Sequence, residues 1–239
     1  MADADAARRS GAAPRRPAEV EFFFDPMCPY AYQTSLWIRT VRERTGLGLR
    51  WRFFSLEEVN REDGKKHPWE REWSYGWSQM RIGALIRRQQ GDDAVDRWYE
   101  AVGRAFHEDG RPTQHAEVHR EVIVEAGFDG DLVEAAIADP TTGDEVRADH
   151  EWLRDAHGGF GVPTMVFPAG EAVYGPVVVP APEGDEAEAL WNLVVAYNAF
   201  PKVFELKHPK TGADLTDIAS RFEPYLRARS WRTIENPAP

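Results

Sequence analysis

The stretch Glu21-Phe22-Phe23-Phe24-Asp25-Pro26-Met27-Cys28-Pro29-Tyr30-Ala31-Tyr32 decides the fold, and it holds the only cysteine of this 239-residue chain. The apolar run that ends at Phe24 is closed by an Asp-Pro turn, which predicts a short buried strand. Apolar residues then recur at helical intervals from Tyr30 to Arg44. Cys28 is therefore expected where the strand turns into the helix. Pro29 would take the first helical position, where a missing N–H costs nothing.

This placement predicts a reactive thiol at Cys28. The start of a helix offers unpaired backbone N–H groups and the positive end of the helix dipole, and both favour the thiolate over the thiol. The alternative is a buried cysteine that acts as a small hydrophobic residue. The order strand, turn, Cys-Pro and helix favours the reactive cysteine.

Composition and charge exclude several partners. The formal net charge of -11 argues against nucleic acid and anionic membranes, since both attract basic proteins. No apolar run is long enough to span a bilayer. Residues 1–17 lack the apolar segment of a secretory signal and are predicted to form a disordered tail. A single cysteine allows no intramolecular disulfide, which fits a cytoplasmic protein.

The remaining elements predict an α/β protein. A half-buried strand over Leu47–Phe54 completes a strand–helix–strand unit. Residues 55–69 are polar and predict a loop, and residues 73–156 predict a series of helices. Two short apolar runs follow, at 165–167 and 172–174, and predict a β-hairpin. Further helices are expected at 183–199 and 215–227.

This order is the plan of a thioredoxin-like fold, with a central mixed β-sheet flanked by helices and an inserted all-helical subdomain. Residues 18–55 and 158–207 would form the thioredoxin-like domain. Residues 56–157 would form the helical insertion, because a crossover needs far fewer residues. Residues 208–239 would be a C-terminal extension.

Several segments resemble one family. They are Phe-Asp-Pro-Met-Cys-Pro-Tyr, Ser55-Leu56 with Asn60, the helix around Trp77, Gly103-Arg104-Ala105-Phe106-His107, Gly161-Val162-Pro163-Thr164, Tyr174-Gly175-Pro176-Val177, Leu190-Trp191 and Phe204-Glu205-Leu206-Lys207. Together they resemble the DsbA-like branch of the thioredoxin superfamily and, within it, the mycothiol-dependent nitroreductase family. The likeness runs from about Val20 to Lys207.

The resemblance implies a set of site residues. Cys28 would be the nucleophile, flanked by Pro29 and Tyr30. Pro163 would follow a cis peptide bond beside the thiol and present the Val162 backbone to an extended thiol substrate. Substrate-binding candidates on the helical side are Asn60, Trp69, Trp77 and His107. The two tryptophans could instead pack the subdomain onto the core, and His107 could satisfy carbonyls at a helix end.

The chain departs from the family pattern at Ala31, where the usual motif has a second cysteine. Cys28 therefore has no internal partner, and an external thiol must resolve any mixed disulfide it forms. The resemblance implies mycothiol as this low-molecular-weight co-substrate, with no tightly bound cofactor and a small nitro-aromatic or disulfide substrate. Two alternatives stay open. One is an enzyme like the kappa-class glutathione transferases and isomerases, which activates a bound thiol. The other is a redox-inactive binding protein.

No metal site is expected. His115 and His119 are four residues apart on a predicted helix, but two imidazoles are half a zinc site and no third ligand has suitable spacing. No dinucleotide-binding fingerprint is present, so a nicotinamide cofactor has no support. The sequence leaves open whether the protein is a monomer or a homodimer.

Overall fold

The computed structural model describes residues 16–229, so the predicted tail lies outside the described residues except for its last two. The sheet has four strands in the order β2-β1-β3-β4. They are β1 (Glu19–Phe24), β2 (Gly48–Phe53), β3 (Thr164–Val166) and β4 (Ala172–Tyr174). β1 pairs in parallel with β2 and antiparallel with β3, and β3 pairs antiparallel with β4. The predicted mixed sheet is therefore confirmed.

Helices cover the sheet and fill the predicted insertion. They are α1 (Pro29–Thr45), α2 (Leu56–Val59), α3 (Tyr75–Gln90), α4 (Asp92–His107), α5 (Ala116–Glu125), α6 (Leu132–Ala138), α7 (Pro140–His157), α8 (Gly184–Asn198), α9 (Gly212–Arg221) and α10 (Glu223–Ala228), with a 3₁₀ turn at Pro68–Glu70. No helix within residues 16–229 is long and apolar enough to cross a membrane.

Two local predictions are wrong. The predicted loop at 55–69 contains α2 and the 3₁₀ turn, because the Ser55 hydroxyl caps α2 by accepting a hydrogen bond from the Glu58 N–H. The single helix predicted at 215–227 is two helices that meet at Phe222. Pro224 lacks an N–H and its ring crowds the carbonyl four residues earlier, which prevents one continuous helix.

An aromatic core joins the helical segment to the sheet. Phe24 of β1 stacks on Tyr99 of α4 with ring centroids 3.9 Å apart, and it meets Trp51 of β2 edge-on at 5.7 Å. These three side chains are 0–1% exposed and belong to one continuous cluster that also includes residues of α3, α6 and α7. α4 therefore lies on the sheet, and its last residue, His107, is carried to the loop that follows β1.

Candidate active site

Cys28 caps α1. Its backbone is extended (φ -89°, ψ 113°), its sulfur accepts a hydrogen bond from the Ala31 N–H at 3.4 Å, and Pro29 takes the first helical turn. The Cys28 N–H donates to the Asp25 carbonyl at 2.9 Å, which closes the turn after β1. The position that the sequence predicts for the thiol, at the start of a helix and facing its N–H groups, is the one that the structure shows.

The second partner of the thiol comes from the loop before β3. The Cys28 Sγ–H donates to the carbonyl oxygen of Val162 over 3.7 Å. The Val162–Pro163 peptide bond is cis, the isomer that the resemblance implied. β3 pairs antiparallel with β1, so the end of β1 and the start of β3 meet at one edge of the sheet. The sheet topology thus brings together two segments 134 residues apart.

Burial controls the protonation of this thiol. Cys28 is only 5% exposed. Loss of hydration raises the pKa of Cys28 to about 12, and the Ala31 N–H, which acts in the opposite direction, does not compensate. The lowered pKa expected from the helix start alone is therefore wrong, because burial has the larger effect. Cys28 is a protonated thiol that donates to Val162.

Asp25 is a buried carboxyl group that the sequence analysis treated only as a turn former. One of its oxygens accepts from the Met27 N–H at 2.9 Å and the other from the Leu56 N–H at 2.8 Å. Burial raises the pKa of Asp25 to about 7, against these two N–H groups, which lower it. Asp25 therefore ties the cysteine loop to the start of α2. A carboxylate between an apolar strand and the cysteine was the signal that could have identified it.

His107 lies behind the cysteine loop. Its Nε2 is 2.9 Å from the carbonyl oxygen of Pro26. Because a carbonyl can only accept, Nε2 carries the proton, and Nδ1 keeps an unshared pair that is buried with no hydrogen-bond partner. Burial lowers the pKa of His107 to about 4, so the ring is neutral near pH 7. Its ring also stacks on Tyr32 at 4.9 Å.

Two aromatic residues of the C-terminal extension face the same loop, and the sequence analysis did not identify them. Phe222 meets the ring of Tyr30 edge-on, with centroids 5.2 Å apart. Tyr225 lies 5.3 Å from the ring of His107. Both side chains are buried, and Met27 packs against the cluster they form. These two side chains therefore pack against the loop that carries Cys28. The helical periodicity at 215–227 predicts a helix but does not indicate which part of the protein that helix packs against.

The other predicted substrate residues have local packing roles. Trp69 packs on Trp77 at 5.3 Å, and the guanidinium of Arg147 lies over Trp69 at 4.4 Å. Trp77 is 1% exposed. The exposed Asn60 donates its amide N–H to the Leu56 carbonyl of its own helix. Contact of these three residues with a substrate stays a prediction.

The two histidines with metal-ligand spacing do not assemble a site. His115 precedes α5 as its N-terminal cap residue, whereas His119 is buried and accepts a hydrogen bond from Trp98 Nε1 at 3.1 Å. No group of three or more His, Cys, Asp or Glu side chains within residues 16–229 is placed to hold a metal ion.

Sequence comparison links the chain to one family. A sequence model of the Rv2466c-like family, described as mycothiol-dependent nitroreductase Rv2466c, matches residues 27–208. A Mycobacterium tuberculosis protein, Rv2286c, which is described as uncharacterized, is 50% identical over 215 residues, covering 90% of this chain and 92% of its own.

Solved structures share the fold. A probable DsbA oxidoreductase, SCO1869 from Streptomyces coelicolor, superposes with a TM-score of 0.55 at 21% identity over 80% of this chain and 94% of that chain. A 2-hydroxychromene-2-carboxylate isomerase gives 0.55 at 16% identity over 75% and 94%. The cytosolic disulfide reductase DsbM from Pseudomonas aeruginosa, with GSH, gives 0.51 at 17% identity over 74% and 98%. These likenesses establish the DsbA-like thioredoxin fold.

Proposed function

The chain belongs to the Rv2466c-like family of mycothiol-dependent nitroreductases, and from this premise we propose that it is a thiol-dependent oxidoreductase with one nucleophilic cysteine. Cys28 would attack the substrate, and a low-molecular-weight thiol such as mycothiol would resolve the product. The observation that carries the proposal is the environment of Cys28 Sγ, which lies between the Ala31 N–H and the Val162 carbonyl. The chain has no second cysteine to resolve a mixed disulfide on Cys28.

The reaction with a disulfide balances without any further redox group. The Cys28 thiolate attacks one sulfur of the substrate, the substrate S–S bond breaks, and one thiolate leaves. An external thiolate then attacks the substrate-derived sulfur of the mixed disulfide, the bond between that sulfur and Cys28 breaks, and Cys28 leaves as a thiolate. The external thiol is thereby oxidised to a disulfide with the substrate fragment, a second external thiol releases that fragment by the same exchange, and Cys28 returns to its starting state. The Ala31 N–H stabilises the Cys28 thiolate when it acts as the leaving group.

The backbone beside the thiol supports an extended thiol co-substrate. The Val162 carbonyl already faces the sulfur. The rings of Tyr30, Phe222 and Tyr225 form an apolar wall beside the cysteine loop. Such a wall suits a flat or apolar substrate, in keeping with a small nitro-aromatic compound. For a nitro group, two thiols supply the two electrons of one reduction step, and they leave as a disulfide while water and a nitroso compound form.

Replacing the nucleophile tests the proposal. Cys28→Ser should reduce mycothiol-dependent turnover of a disulfide or nitro-aromatic probe by at least ~100-fold, because a serine hydroxyl is not ionised at neutral pH and cannot form a disulfide. Wild-type protein treated with a small thiol disulfide should gain the mass of one thiol on Cys28. Turnover retained by Cys28→Ser, with an unchanged unfolding transition, would contradict the mechanism.

A matched variant restores the internal partner. In Ala31→Cys, the same treatment should give an intramolecular disulfide, detected as the loss of two hydrogen atoms, in place of the stable adduct. A stable adduct in both proteins would mean that residue 31 does not determine how Cys28 is resolved.

A second candidate function is a transferase or isomerase that activates a bound thiol. The protonated state of Cys28 and the alanine at position 31 favour it, because neither helps the protein sulfur to complete a redox cycle. Here the thiol co-substrate would be the nucleophile and Cys28 would only orient it. Cys28→Ser separates the two functions, since a transferase should keep most of its activity.

A further inference from the structure

We propose that helices α9 and α10, residues 212–228, form a cap that must open before any reagent reaches Cys28, and that Phe222 and Tyr225 determine which substrates enter. We call this segment the C-terminal cap. The identity of those substrates rests on the proposed function, but the control of access does not. The family match covers residues 27–208, so the C-terminal cap lies outside the matched residues.

The C-terminal cap packs on the cysteine loop and on the end of α4. Phe222 packs on Tyr30, two residues after Cys28, and the cluster also includes Met27, the residue before it. Tyr225 packs on His107, whose Nε2 holds the Pro26 carbonyl. The residues on both sides of the nucleophile are therefore covered by two rings of the cap. Cys28 itself is 5% exposed and belongs to the main core cluster, while the two rings of the cap lie against residues next to it.

Beyond the cysteine loop, the cap is attached through α10, where Tyr225 also meets Phe106 of α4 edge-on at 5.4 Å. Every residue from 200 to 217 is exposed, and no residue of α9 is buried. At the far end, the Gln114 side chain donates to the Ala228 carbonyl at 2.9 Å. The apolar cluster beneath the cap is separate from the main core. The cap can therefore leave the cysteine loop without disturbing the sheet, and local opening of such weakly packed segments is common in proteins.

The chemistry of the cover indicates a filter for substrates. The rings that meet at the loop are Tyr30, Phe222, Tyr225 and His107, and His107 is neutral near pH 7. A flat or apolar molecule that enters can form contacts with these rings in place of the contacts the rings make with one another. A charged molecule would have to lose its hydration there. The C-terminal cap should therefore favour aromatic or apolar substrates over small charged ones.

The test measures alkylation of Cys28 in the full-length protein. Iodoacetamide is used as a neutral reagent and iodoacetate as its charged counterpart. Phe222→Ala and Tyr225→Ala should each raise the iodoacetamide rate ~10-fold or more, since losing a buried ring weakens the closed state. The ratio of iodoacetamide to iodoacetate rates should fall in both variants. Leu226→Ala is the matched control, because this α10 side chain is 50% exposed, and its rates should stay within ~2-fold of wild type.

A second measurement uses the wild-type protein and does not depend on the folding of any variant. Amide hydrogens of residues 212–228 should exchange faster than those of α1, and faster still when Cys28 carries a mixed disulfide. The proposal would be overturned if the amide hydrogens of the cap exchanged only when the whole protein unfolds. It would also be overturned if Phe222→Ala and Tyr225→Ala both left the alkylation rate of Cys28 unchanged. Alkylation of Cys28 does not require catalytic turnover. If the wild-type protein had no oxidoreductase activity but the alkylation rates were as expected, only the proposed function would be contradicted.

Discussion

Two buried aspartates, Asp96 and Asp25, are held in opposite ways. Asp96 on α4 accepts charged hydrogen bonds from Arg39 at 2.7 Å and Arg42 at 2.6 Å. Asp25, in the cysteine loop, accepts only backbone N–H groups, from Met27 and Leu56. The first carboxylate has two cationic partners, whereas the second has none among its hydrogen-bond donors.

These different partners make Asp96 a structural charge and Asp25 a titratable group. At Asp96, neighbouring guanidinium groups offset the cost of burying the carboxylate. At Asp25, burial raises the pKa to about 7, so the group can change its charge near neutral pH. Its charge also raises the pKa of Cys28, although burial of the thiol has the larger effect. Buried groups with shifted pKa values concentrate at functional sites, and Asp25 lies in the same loop as Cys28.

Breaking the paired site should have the largest effect on stability. Asp96→Ala leaves Arg39 buried without its carboxylate partner, and we expect the free energy of unfolding to fall by about 3–5 kcal/mol. Urea unfolding followed by circular dichroism measures this loss. Where the variant is folded, Cys28 alkylation should match wild type, because Asp96 stabilises the fold and not the thiol.

Asp217→Ala is the control for this comparison. Asp217 pairs with Arg221 four residues later on the surface of α9. Removing an exposed pair should change the free energy of unfolding by no more than about 0.5 kcal/mol. Similar losses in both variants would mean that burial does not distinguish the two ion pairs.

Replacing the titratable carboxyl should have a smaller effect on stability and a distinctive effect on pH dependence. In Asp25→Asn, an NH₂ group faces one of the two backbone N–H donors, so we expect a loss of about 1–3 kcal/mol. The variant also removes a negative charge, so the pKa of Cys28 should fall relative to wild type. Alkylation rate against pH measures that pKa, and an unchanged or higher value would exclude an electrostatic effect of Asp25 on Cys28.

The pH dependence has a definite sign. The pKa of Asp25 rises from 3.8 to about 7 on folding, so its contribution stabilises the fold below pH 3.8 and is lost as the pH rises through 7. Burial lowers the pKa of His107, His119 and His150 from 6.5 to about 4, so their contributions are present above pH 6.5 and are lost as the pH falls through 4. Stability should therefore rise from pH 4 to 6.5, and rise more steeply in Asp25→Asn. A flatter profile in the variant would contradict this assignment.

The parts of the site that follow from local pattern were predicted from the sequence. An apolar run, an Asp-Pro turn and a Cys-Pro step are sufficient to place Cys28 at a helix start, because each acts on the backbone nearby. The raised pKa of Cys28 does not follow from local pattern, because burial of the thiol depends on distant segments such as the loop that carries Val162. Phe222 and Tyr225 lie almost two hundred residues from Cys28 in the chain, and their own pattern predicts only a helix. The role of Asp25 depends on the Leu56 N–H, a partner that no local pattern identifies.

The smallest effect concerns the packing around Asp25. A Cβ atom added at Gly76 would lie 2.8 Å from the Asp25 Oδ1 atom, which its bond to the Met27 N–H holds in place. Gly76→Ala should therefore destabilise the protein by about 1–2 kcal/mol, even though alanine favours a helix by nearly 1 kcal/mol. Gly143→Ala is the matched control on α7, because its Cβ would meet neighbours at ordinary distances of 3.7 Å or more, and it should be neutral or stabilising. Urea unfolding measures both variants. Because the clash acts on the carboxylate, Gly76→Ala should also change the alkylation rate of Cys28, whereas Gly143→Ala should not. Equal behaviour of the two variants would mean that the Asp25 loop can shift away from α3, and that the thiol does not depend on the position of this carboxyl group.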